Sequence, residues 1–103
     1  MSWWVYVEPP NMPVDPFEEN VTYNLGTMMR RAGLHPKVLS GLTVKQAQPV
    51  FEQAEKLLSD NPAYFQQFNP ENGWGNYEGL MKLVRGMLAY MEQCPDNYIV
   101  RWS

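Results

Sequence analysis

Asn69-Pro70-Glu71-Asn72-Gly73-Trp74-Gly75-Asn76-Tyr77-Glu78-Gly79 leads directly into Leu80-Met81-Lys82-Leu83-Val84-Arg85-Gly86-Met87-Leu88-Ala89-Tyr90-Met91-Glu92-Gln93. In the second part Tyr77, Leu80, Leu83, Val84, Met87, Leu88 and Met91 recur three or four residues apart, the spacing of one face of a helix. Asn76 has the side-chain oxygen that caps such a helix, and Pro95 stops it after Gln93. This reading predicts a long central helix that the rest of the chain packs around. Gly79 and Gly86 lie inside it, where each costs about 1 kcal/mol relative to alanine; close packing against a neighbour is the expected compensation. Ahead of the helix, two glycines flank Trp74. They free the backbone for positive φ while one indole is held in the loop, either as a plug or as a contact surface.

Working back from this helix, Thr43 and Gln46 have the spacing of a capping box, and Val50, Phe51, Ala54, Leu57 and Leu58 form an apolar stripe behind it. Pro49 removes a backbone donor inside the same stretch, so a kink or a restart near Gln48 is expected there. Asp60-Asn61-Pro62 ends that helix and starts a short one carrying Ala63, Tyr64, Phe65 and Phe68, since proline suits the first helical position. Leu34-His35-Pro36 breaks the chain, and residues 37–42 read as a loop or a single turn. Before it, apolar positions 21, 25, 28 and 29 share a helical face that Gly33 terminates. Asp15, Glu18 and Glu19 are then carboxylates near the start of that helix, favoured by its dipole.

The two ends complete the picture. Trp3 to Val7 is aromatic and β-branched and stops at Glu8-Pro9-Pro10, and Asn97 to Trp102 has the same character. The two are expected to pair as an antiparallel ribbon covered by helices, because an isolated two-stranded ribbon is marginal. Pro9 to Pro16, with four prolines, reads as an extended connector. The predicted class is helix-rich α+β: about four helices packed on a short antiparallel pair of terminal strands.

The composition agrees with a single domain spanning residues 1–103. The chain is 45% hydrophobic and 18% charged, which is globular rather than disordered, and its 103 residues suffice for one modest core. A net charge of −3 argues against a phosphate-backbone binder, so no nucleic-acid partner is expected. No apolar run approaches spanning length, and the first residues lack the pattern of a signal peptide, so neither membrane insertion nor export is expected. Cys94 is the single cysteine; it forms no intrachain disulfide, and a cytoplasmic setting is expected.

Asn20-Val21-Thr22-Tyr23-Asn24-Leu25, the Asn69–Gly79 stretch and the Cys94-Pro95 helix end before an apolar strand resemble a family of small uncharacterised bacteriophage and bacterial proteins. The resemblance covers most of the chain from Asn20 onward. It implies a phage or prophage accessory protein acting in the host cytoplasm, and it transfers no catalytic residues.

Chemistry-bearing patterns are few. His35 is the single histidine, and it pairs with Cys94 as a nucleophilic dyad only if folding joins two distant segments. Zinc-ligand spacing, EF-hand spacing and phosphate-loop glycines are lacking, so no metal and no cofactor is expected. The remaining cluster is polar and aromatic: Asn20, Thr22 and Asn24 before one expected helix, and Asn69, Asn72, Trp74, Asn76, Tyr77 and Glu78 before another. If both helix starts face one side, amides, free N–H groups and the Trp74 ring make a recognition surface. The competing reading is that the asparagines are caps and loop closures, a common use of that side chain. Three functions follow: a non-enzymatic module binding a host protein, a protein binding or sequestering a small polar, nucleotide-like ligand, and a small hydrolase-like enzyme using Glu78 as base.

Overall fold

A computed structural model describes residues 2–8, 17–71, 73 and 75–102. The expected proline connector, Asn72 and Trp74 lie outside the described residues. The fold is helix-rich α+β. Strand β1 (Ser2–Glu8) is followed by β2 (Phe17–Thr22), a 3-10 turn at Tyr23–Leu25, α1 (Gly26–Arg31), α2 (Pro36–Leu39), α3 (Val44–Asp60), α4 (Pro62–Gln66), α5 (Tyr77–Gln93) and β3 (Ile99–Trp102).

The terminal strands pair antiparallel as their composition predicts, with Val5 opposite Trp102, Val7 opposite Val100 and Glu8 opposite Ile99. Alternation then puts Val5, Val7 and Val100 on the inner face, where all are fully buried, and leaves Trp4 43% exposed on the outer one. Trp3 and Trp102 meet edge-to-face, with ring centroids 6.2 Å apart. Glu8 Oε1 accepts from Arg101 Nε at 2.7 Å across the outer face.

The sheet is wider than a ribbon. Its order is β2-β1-β3, with Trp4 opposite Asn20 and Tyr6 opposite Glu18. The expected helix over residues 20–33 is therefore corrected: its first part is strand, and helix begins only at Gly26. The physical reason is long-range pairing. The free edge of β1 has ladder donors and acceptors to satisfy, and Val21 and Thr22 are β-branched residues that suit a strand. Glu18 and Glu19 thus belong to an edge strand rather than to a helix cap; charge on an edge discourages further pairing. On the opposite edge, residues 40–44 run beside β3: Gly41 N donates to Val100 O, Val100 N to Leu42 O and Val44 N to Tyr98 O, at 2.7–2.8 Å.

The helical layer is organised by α3 and α5. Val44, Ala47, Phe51, Ala54 and Leu58 of α3 are buried against an α5 face that includes Leu80, Val84, Met87 and Met91. Each large side chain so buried contributes about 1.5–3 kcal/mol. The capping box at the start of α3 is present in both directions: Thr43 Oγ1 accepts from Gln46 N at 3.2 Å, and Gln46 Oε1 accepts from Thr43 N at 3.1 Å. Pro49 does not interrupt α3, which runs 17 residues through it. Lys45 and Pro49 both lie on the exposed side of that helix, so the carbonyl that loses its donor is on the side open to water.

A second correction concerns Gly86. No described atom beyond its own helix backbone and chain neighbours lies within 4 Å of where its Cβ would sit. Close packing against the described residues is not its compensation.

Candidate functional site

The loop before α5 is assembled by short-range hydrogen bonds. Gly73 and Gly75 have φ of 75° and 94°, the left-handed region that glycine enters without strain. Asn69 Oδ1 accepts from Tyr77 N, and Asn76 Oδ1 accepts from Gly79 N, both at 2.8 Å. Two of the candidate amides thus satisfy orphan donors at the helix start. The Tyr77 hydroxyl donates to Leu58 O, which ties the start of α5 to the end of α3. Tyr77 is 8% exposed; Glu78, one residue on, is exposed.

The other candidate group is placed elsewhere. Asn20 and Thr22 sit on β2 opposite Trp4 and Ser2, and exposed Asn24 lies in the 3-10 turn that follows. β3 and residues 40–44 meet the beginning of α3, whereas Tyr77 meets its end. At 1.5 Å per residue, the 17 residues of α3 extend about 25 Å. Asn69, Asn76, Tyr77 and Glu78 thus lie at the end of α3 remote from β3, and Arg31 at the end of α1 reaches the same region, its guanidinium 5.8 Å from the Phe68 ring centroid.

Two of the concavities lined by described residues bear on function. One is an open trough of about 600 Å³ along α5, lined by Tyr77, Glu78, Met81, Lys82, Arg85 and Gly86. Sequence reasoning reached Tyr77 and Glu78 but not the rest. The signal was available: Glu78, Lys82, Arg85 and Gly86 recur three or four apart on the polar side of the α5 pattern. The other, of about 280 Å³, is lined by Trp3, Gly26, Arg30, His35 and Lys37. It draws on three separate segments, so no spacing rule could have found it.

Groups with nucleophilic or ligating chemistry are engaged locally. Burial pushes the Cys94 thiol up, against the opposing effect of a hydrogen bond from Tyr90, which disfavours a reactive thiolate. His35 Nδ1 accepts from Lys37 N at 3.1 Å. Among the described residues no three His, Cys, Asp or Glu side chains gather in a group able to hold a metal ion, and no described helix is long and apolar enough to cross a membrane. Comparison of the chain with protein-family models, curated proteins and solved structures finds no match.

Proposed function

We propose that this chain is a non-enzymatic interaction module, a phage or prophage accessory protein that docks a host protein on the α5 trough. Gly86 carries the reading. A glycine in the interior of a helix costs about 1 kcal/mol relative to alanine, and no described atom beyond its own helix approaches its Cβ position within 4 Å. A compensation supplied from outside the chain, by a partner backbone resting on the notch, accounts for it. The partner that fits is an amphipathic helix. Its aliphatic residue would seat over Gly86 and Met81, and its acidic residues would face Lys82 and Arg85, the two cations of the trough against the single carboxylate of Glu78. Of the expected recognition residues, Tyr77 and Glu78 line the trough, and Trp74 and Asn72 precede α5 in sequence by only a few positions.

The test is capture of a host protein from lysate through a photo-crosslinking residue at position 82, compared between the parent and Gly86→Leu. The expected result is a discrete crosslinked partner that disappears in Gly86→Leu while the melting temperature is maintained. Trp74→Ala is expected to weaken the same capture. A crosslinked species unchanged by Gly86→Leu overturns the proposal.

A further inference from the structure

Independently of the α5 trough, we infer that the concavity between the sheet end and α1 is a binding site for a small organic phosphate of mononucleotide size. Trp3 from β1, Gly26 and Arg30 from α1, His35 from the connecting segment and Lys37 from α2 converge on a space of about 280 Å³. Every described titratable side chain lining it is basic, in a chain whose net charge is −3. Among the side chains that the structure describes, the ion pair present is Arg101 with Glu8, and Arg30 and Lys37 have no carboxylate partner. Arg30 also complements the dipole at the C-terminal end of α1, but that does not explain why His35 and Lys37, from the segment after it, line the same space.

The donor set suits phosphate. A guanidinium, an ammonium and an imidazole are the side-chain donors that make charge-assisted hydrogen bonds to a phosphate. His35 Nδ1 accepts from Lys37 N, so in the neutral ring the proton is on Nε2, and that nitrogen remains a donor. The non-phosphate part of the ligand has an apolar wall. Trp3 is half-buried and is held edge-to-face against Trp102 at 6.2 Å, so its ring is preorganised to pack on a base or another flat body. Gly26 keeps this space open: a Cβ there would already sit 3.5 Å from Trp3 Cη2, and a longer side chain would extend into the cavity. The volume accepts one nucleotide-sized molecule, at the small end of ligand pockets, and the chain's negative charge disfavours a nucleic-acid polymer.

The experiment titrates the full chain with AMP, adenosine and inorganic phosphate, using calorimetry and amide and indole NMR shifts. AMP is expected to bind, to shift the Trp3 indole and Gly26 amide signals, and to weaken as salt rises. Adenosine and phosphate alone are each expected to bind at least about tenfold more weakly, since each keeps only one of the two contacts. Arg30→Gln with Lys37→Gln, both at exposed positions, should weaken AMP by at least about tenfold through loss of charge-assisted hydrogen bonds with the melting temperature unchanged. Gly26→Leu, checked for folding by its amide spectrum, should abolish binding by filling the space. The inference is overturned if AMP at millimolar concentration shifts no signal around Trp3, if binding is indifferent to the Arg30/Lys37 pair, or if phosphate alone binds as tightly as AMP.

Discussion

Replacing Gly86 by alanine is expected to stabilise the folded chain by about 1 kcal/mol, the helix-propensity difference between the two residues. The structure removes the usual objection, because the added methyl meets no described atom within 4 Å beyond its own helix backbone and chain neighbours. For a chain of 103 residues, 1 kcal/mol corresponds to a rise in melting temperature of roughly 4–8 °C. The measurement is urea and thermal unfolding followed by circular dichroism and tryptophan fluorescence. Gly79→Ala is the internal control. Its Cβ would lie 3.1 Å from Asn76 Oδ1, the atom that caps Gly79 N. Displacing that cap costs about 1 kcal/mol, so the propensity gain is offset and the variant is expected to be close to neutral or destabilised. A Gly86→Ala protein no more stable than the parent, or a Gly79→Ala protein equally stabilised, would refute the reasoning. A stabilised Gly86→Ala would also set fold against function, because the glycine then persists at a cost that a docking surface would justify.

Asn76→Ala should cost about 1 kcal/mol through loss of the α5 cap, read as a lower urea midpoint with an unchanged slope. Deleting residues 98–103 removes fully buried Val100 and unpairs the β3-facing edge of β1 and the 40–44 segment; no cooperative unfolding transition should remain, and an unchanged melting temperature would disprove the pairing. Cys94 should alkylate more slowly in the folded than in the denatured chain at mildly alkaline pH, because burial raises its pKa above 9.0. The sign of the linked effect follows: above pH 9.0 the unfolded chain loses the thiol proton first, so stability falls as pH rises there, and Cys94→Ser should flatten that fall.

Where an element is specified by residues a few positions apart, reading the chain was enough. The Thr43–Gln46 box, the Asn76 cap, Pro62 opening α4, the single turn after His35 and the positive φ of Gly73 and Gly75 all depend on contacts within about four residues, and all appear as expected. The apolar faces of α3 and α5 were also legible, because burial follows the helical period. The strand pair at the two ends could be inferred because each segment was too apolar to stand alone.

Other features depend on which segments become neighbours. Phe17–Thr22 carries acidic residues and asparagine that suit a helix start, yet the unsatisfied edge of β1 recruits it as a strand. Pro49 is tolerated because the exposed side of α3, and not its packed side, carries the carbonyl left without a donor. The spacing of Gly86 suggests close packing, and only the arrangement of the other helices leaves no described atom above it. Trp3, Arg30, His35 and Lys37 are scattered over more than thirty positions, and their convergence is a product of sheet order and the turn between α1 and α2. Local hydrogen-bonding rules encode the elements, whereas the shape of a concave surface is set by the long-range packing that brings distant side chains to its rim.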